Sequence, residues 1–206
     1  MNDRKLLVEV QTFRADPRML KESLERPNAP FRVKGILQRA GIKNQNGRIY
    51  PKDVLMREAQ KYNDTFVREN RAMGELDHPE TSVVNLRNVC HKVVEMHWEG
   101  DDLIGTCEIL STPSGNILRE LFRSGVNVGI SSRALGSLKQ VSEGTSLVGD
   151  DLELIAFDFV SNPSTAGAFM FAETPLMEGV NKIQNPTTGK WETVNKIVRD
   201  ILNEIN

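Results

Sequence analysis

Residues 89–98 and 102–110 are two apolar-rich runs separated only by Glu99-Gly100-Asp101, a spacing that makes an antiparallel hairpin the natural connection. Further strand-like runs lie at 31–38, 126–138 and 151–161, the first closed by turn signals at Gly41 and Asn46-Gly47. Pro51 opens a helix that places Val54, Leu55, Ala59, Tyr62 and Phe66 on one face and ends in the polar Arg68-Glu69-Asn70-Arg71. Thr112-Pro113-Ser114-Gly115 starts another, with Ile117, Leu118, Leu121 and Phe122 inward and Gly125 as its stop. Residues 14–30 read as an ordered loop or a short helix from Pro17 to Leu24. Several strands with no regular strand-helix alternation favour an α+β domain or small barrel over a doubly wound sheet.

A chain of 206 residues holds one sizeable core. After Phe171 the composition changes: residues 173–190 are rich in proline, glycine and threonine and read as a linker. Trp191, Val194, Ile197, Val198, Ile201, Leu202 and Ile205 then recur at helical spacing. The expected organisation is an N-terminal segment (1–30) packing on the domain, a catalytic domain (31–172), the linker (173–190) and an amphipathic helix (191–206). A formal charge of -2 with 39% hydrophobic residues gives neither a nucleic-acid footprint nor a disordered polyelectrolyte. No run reaches membrane-spanning length, and Glu9 interrupts the N-terminal apolar stretch before it resembles a signal peptide. Cys90 and Cys107 flank a predicted turn rather than forming a disulfide framework, so a reducing, intracellular setting is expected.

Chemistry concentrates at Gly129-Ile130-Ser131-Ser132-Arg133. On a strand, Val128, Ile130 and Ser132 share one face and Gly129, Ser131 and Arg133 the other. If the first face is core, Ser131 points into a cleft and is the better nucleophile; the plainer alternative is a Gly-Ser strand that merely permits close packing. His78 precedes Pro79, which favours extended geometry and a stiffened loop, as suits a general base, although a surface-loop histidine would look the same. Asp158 interrupts the apolar Leu154-Ile155-Ala156-Phe157-Asp158-Phe159-Val160 and would share a face with Leu152, Leu154 and Ala156. A buried carboxylate needs a partner, either an imidazole N–H or a structural arginine. In a triad it fixes the histidine tautomer while the histidine takes the serine proton and returns it to the leaving amine. The order His, Ser, Asp fits neither the chymotrypsin nor the subtilisin arrangement, and Arg133 stands where a nucleophile elbow requires glycine.

Two rival readings exist. Cys90, His91, Cys107, His78 and His97 would have to converge to hold zinc, but Cys90 and His91 are adjacent and point to opposite strand faces, and no Cys-x-x-Cys pair is present. No metal or cofactor is expected. The other rival is a non-catalytic assembly or scaffold-binding module that docks through the tail helix.

The set Val33-Lys34-Gly35-Ile36, Asn46-Gly47-Arg48-Ile49-Tyr50-Pro51, Gly74-Glu75-Leu76-Asp77-His78-Pro79 and Gly129-Ile130-Ser131-Ser132-Arg133-Ala134-Leu135-Gly136-Ser137 resembles the prohead core protease family of T4-like tailed bacteriophages. The likeness spans about residues 31–171. It implies a fold similar to that of herpesvirus maturation proteases, a β-barrel wrapped by helices. It also implies Ser131 as nucleophile and His78 as base, with Asp158, or His91 or His97 in the manner of the herpesvirus enzymes, as third member. Ala134 stands where the family would have glycine, and backbone N–H groups near Arg133, with Ser132, form the implied oxyanion region. The resemblance further implies an endopeptidase within the immature capsid, self-associating as a homo-oligomer, with phage scaffold and major capsid proteins as substrates. Cleavage would follow glutamate with an aliphatic residue two places before it, which points to self-processing between Glu178 and Gly179 in Leu176-Met177-Glu178-Gly179. Leu118-Arg119-Glu120 fits the same pattern inside a helix, and Leu7-Val8-Glu9 and Leu202-Asn203-Glu204 fit it near the termini. Arg133, Arg48 or Arg87 would meet the substrate glutamate.

Overall fold

The structure, a computed structural model, describes residues 4–12, 15–26, 29–77, 79 and 81–161, all within one compact unit. His78, the linker with Glu178 and Gly179, and the helix expected over 191–206 lie outside the described residues. In chain order the elements are β1 (Lys5–Thr12), α1 (Pro17–Glu25), β2 (Phe31–Arg39), β3 (Arg48–Ile49), α2 (Lys52–Tyr62), β4 (Met73–Glu75), β5 (Val89–Glu99), β6 (Asp102–Ile109), α3 (Pro113–Arg123), β7 (Gly129–Gly136), β8 (Leu138–Ser142), β9 (Thr145–Val148) and β10 (Glu153–Val160). Helix α2 runs on into a π-helical turn, Asn63–Val67. The expected hairpin is β5–β6, the expected helices are α2 and α3, and of the two readings of residues 14–30 the structure has the short helix, α1.

The fold is α+β, with three sheets ordered β1-β7-β10, β2-β6-β5-β4 and β3-β9-β8. One parallel bridge, Leu76 to Phe159, joins the continuation of β4 to β10 and brings the first two sheets edge to edge. Among the described residues the ladders do not close into a ring. The N-terminal segment supplies a full strand, because β1 pairs with all of β7 from Lys5–Gly136 to Thr12–Gly129. The run expected over 126–138 ends at Gly136, after which the chain enters the β8–β9 hairpin.

Apolar periodicity explains which faces meet. Helix α3 is capped by the Thr112 hydroxyl, which accepts from the Gly115 backbone N–H at 3.1 Å, and buries Gly115, Leu118 and Phe122. Ile117, expected to face inward, is 55% exposed, because the buried stripe runs through Gly115 and Leu118 instead. Phe157 and Phe159 on β10 take edge contacts from Tyr62 at 5.5 Å and Phe122 at 5.7 Å, tying α2 and α3 to that strand. Burial of each such ring contributes roughly 1.5–3 kcal/mol, so β10 is held firmly from its core face.

Candidate active site

Strand β7 lies between β1 and β10, and the register decides which side chains meet. Ser131 stands opposite Asp158 and Val10, Ser132 opposite Phe157 and Glu9, and Arg133 opposite Ala156 and Val8. Directly opposed residues share a face. Ser131, Arg133 and Asp158 therefore lie on one side of the sheet, and Ile130, Ser132, Phe157 and Phe159 on the other. A register shift between Leu154 and Ala156 makes Ile155 a bulge, so Leu154 falls opposite Ala134 and joins the Phe157 face rather than sharing that of Asp158 as expected.

The two serines differ in environment. Ser132 accepts a hydrogen bond from Gln38 Nε2 of β2 at 2.8 Å, a structural tie between sheets. The Ser131 hydroxyl has no hydrogen-bond partner among the described residues. Its side of the strand is the expected one, but its exposure is not: Ser131 is wholly buried rather than open to a cleft.

Asp158, also wholly buried, meets Arg133. Arg133 Nη2 donates to Asp158 Oδ1 at 3.2 Å, and Nε lies 3.0 Å from Oδ2 as an ion pair. The Glu75 backbone N–H donates to Asp158 Oδ1 at 2.9 Å. Burial raises the Asp158 carboxyl to about 6, against the opposing pull of Arg133. Glu75, a residue that sequence reasoning passed over, completes the cluster, its Oε1 accepting from Arg133 Nη2 at 3.0 Å and from the Asn85 backbone N–H at 2.9 Å. The available signal was its place in Gly74-Glu75-Leu76, where alternation buries one acidic side chain just before the histidine. Gly74 itself is required by close approach, since a Cβ there would sit 1.9 Å from the Phe157 carbonyl oxygen.

Position 78 is bracketed by described residues. Asp77, at a φ of 60°, donates its backbone N–H to the Phe159 carbonyl at 2.8 Å, so the chain leaves β4 alongside the end of β10. Residues Thr81 and Val83 return to Arg133, whose Nη1 donates to their carbonyls at 2.8 and 3.4 Å. This use of the guanidinium bears on the specificity expectation: Arg133 is fully buried and turns no donor toward solvent for a substrate carboxylate. Arg48 is likewise committed, donating to Glu9 Oε1 at 2.6 Å, whereas Arg87 is exposed.

The other histidines stand elsewhere. His91 packs edge-on to Phe159 at 4.7 Å, on the sheet face away from Ser131, and burial holds its imidazole down to about 3, hence neutral. His97 pairs with Glu99 at 2.9 Å near the β5–β6 turn, roughly 20 Å along the strand from His91. Cys90 and Cys107 are buried free thiols, raised by desolvation. No group of three or more metal-ligating side chains converges among the described residues.

Glu9 forms a second buried cluster on the opposite face. Its carboxylate accepts from Asn44 at 2.6 Å, Asn46 at 2.7 Å, Arg48 at 2.6 Å and the Tyr50 hydroxyl at 3.0 Å. That convergence accounts for the alternating polar residues of the Asn46–Tyr50 stretch. Burial and the adjacent carboxylate push the Tyr50 phenol well up, which keeps it a donor. Glu9, in a fully paired strand, and Glu120, in α3, are thus both locked in regular structure.

Comparison with known proteins places the chain in a family. A family model described as prohead core protein serine protease matches residues 7–178. The prohead core protein protease of Enterobacteria phage T4 is 32% identical over 141 residues, covering 67% of this chain and 66% of that protein. The chain therefore aligns with about two thirds of that relative's length. The solved structure of the bacteriophage T4 capsid assembly protease superposes with a TM-score of 0.70 at 26% identity, covering 79% of this chain and all of that one.

Proposed function

This chain belongs to the prohead core protein serine protease family, and on that premise we propose that it is a serine endopeptidase acting in capsid maturation inside the phage prohead. Ser131 is the nucleophile, His78 the general base and Asp158 the carboxylate partner. One observation carries the reading: Ser131 and Asp158 are direct cross-strand partners on one face, and the segment leading to His78 is hydrogen-bonded along the end of the same strand. His78 takes the Ser131 proton as the hydroxyl attacks the scissile carbonyl, then gives it to the departing amine. The surplus negative charge of Glu75 and Asp158 over Arg133 favours the imidazolium formed between these steps. Backbone N–H groups near Arg133 lie in a strand paired on both edges, and the bulge at Ile155 is the one interruption of that ladder opposite them.

Substrates are scaffold and major capsid proteins, cut after glutamate, with Arg87 the exposed candidate to meet that side chain. The edge-to-edge junction of two sheets supports a herpesvirus-protease-like barrel, and self-association as a homo-oligomer accompanies assembly. Complete burial of Ser131 supports the view that the full-length chain is an unprocessed form, released by cleavage between Glu178 and Gly179. Incubation of purified full-length protein followed by intact-mass measurement tests this. Wild type yields a fragment ending at Glu178, and Ser131→Ala and His78→Ala yield none. Equal cleavage by wild type and Ser131→Ala, or none by any form, favours the non-catalytic assembly module.

A further inference from the structure

We propose that Arg133 is a positioning residue that locks the loop carrying His78 onto the nucleophile strand, an inference that rests on the assignment of His78 and Ser131 above. Arg133 is two residues from Ser131 on the same strand face, and its guanidinium spends every nitrogen inward. Nη2 donates to Asp158 and to Glu75, Nη1 to the carbonyls of Thr81 and Val83, and Nε lies in ion-pair contact with Asp158. Glu75 lies three residues before position 78, and Thr81 three residues after it. The same Glu75 oxygen that meets Arg133 also accepts from the Asn85 backbone N–H. One planar cation thereby gathers both limbs of the loop.

Among the described residues, the other hydrogen bonds of the outward limb are local turns and the Leu76 N–H to the Asn88 carbonyl at its far end. Val83 and Leu86 are 71% and 69% exposed, so this stretch buries little apolar surface, and its order depends on polar ties. Lysine cannot reproduce those ties, because a single ammonium does not span the divergent acceptors that a planar guanidinium reaches. A base displaced by about 1 Å from its working position costs on the order of 100-fold in rate. Arg133 thus acts through the geometry of His78 and not by touching substrate.

The test is a cycle of Arg133→Lys and His78→Ala in the full chain. Hydrolysis of a glutamate-containing peptide and of an activated ester on which His78→Ala keeps a measurable rate is read beside hydrogen exchange. Arg133→Lys is expected to lower kcat about 100-fold with KM nearly constant. Exchange over residues 76–88 should accelerate at least about tenfold while β7 and β10 keep their protection. In the His78→Ala background the same substitution should leave the ester rate unchanged. A raised KM with unaltered kcat would instead place Arg133 against the substrate, and an equal loss in both backgrounds would show that it does not act through His78. If Arg133→Lys fails to fold, Glu75→Gln, which weakens the ties of Oε1 to both Arg133 and the Asn85 N–H, should accelerate exchange over residues 76–88 about tenfold, a readout that the lost charge near His78 does not itself move; unchanged exchange would overturn the proposal. A wild-type chain without Ser131-dependent cleavage would defeat the peptidase reading itself, leaving faster exchange in Arg133→Lys as the sign of a structural clamp only.

Discussion

Glu9 on β1 and Asp158 on β10 flank the same strand, one opposite Ser132 and the other opposite Ser131, yet their surroundings balance charge differently. Among the described residues Glu9 has one cation, Arg48, and both its oxygens accept hydrogen bonds, from Arg48, Tyr50, Asn44 and Asn46. Among the described residues Asp158 shares its one cation, Arg133, with Glu75, and Glu75 Oε2 and Asp158 Oδ2 accept no hydrogen bond. The first cluster is complete and fastens β1 to the loop before α2. The second has lone pairs and a negative charge to spare, beside the serine that carries no structural hydrogen bond. Fully matched polar clusters rigidify a core; an unmatched one marks where a donor or a positive charge is needed.

Removing the cation from each cluster should expose this contrast most strongly. Arg133→Met leaves two buried carboxylates uncompensated, at a cost of about 3–5 kcal/mol by urea denaturation. Arg48→Met leaves Glu9 three neutral donors, and Arg48 is itself partly exposed, so the expected cost is only about 1–2 kcal/mol. Equal losses would mean that the two clusters are energetically alike.

A smaller effect comes from pH. Asp158 rises from 3.8 to about 6 on folding, so the native state holds the extra proton between these values. Its contribution to stability is present below 3.8 and is lost as pH rises through about 6. His91 behaves oppositely, falling from 6.5 to about 3, so its contribution is present above 6.5 and is lost on acidification through that window. A tenfold difference in proton affinity between the folded and unfolded chain is worth about 1.4 kcal/mol, and the two slopes partly cancel in the wild type. Asp158→Asn should therefore steepen the acid loss of stability and His91→Phe should flatten it, as measured by denaturation between pH 3 and 7. Identical profiles for the two variants would remove the assigned causes.

Much of the scaffold was legible because long apolar runs fix their own period. The hairpin of β5 and β6, the strand β2 and the helices α2 and α3 follow from side chains that must be buried together, whereas α1, which buries only Ser23, was one of two open readings. Strands β3 and β4 are too short to carry a period and exist only through their partners, and β8 is almost wholly exposed. Strand β1 was hidden by Glu9, which reads as a surface residue until four donors from a distant loop explain its burial. Within the site, alternation was enough to place Ser131 and Arg133 together and Ser132 apart. It did not anticipate the burial of Ser131 or the bulge at Ile155. The pairing of Asp158 with Arg133 was one of two open alternatives, because sequence shows that a buried acid needs a partner but not which partner arrives.

The face of β7 proposed to carry the chemistry can be read directly by covalent capture. Processed protein treated with a serine-reactive phosphonate and digested for peptide mass analysis should carry one adduct, on Ser131, and His78→Ala should label far more slowly. An adduct on Ser132, or cleavage activity that survives with Ser131 unlabelled, would contradict the account.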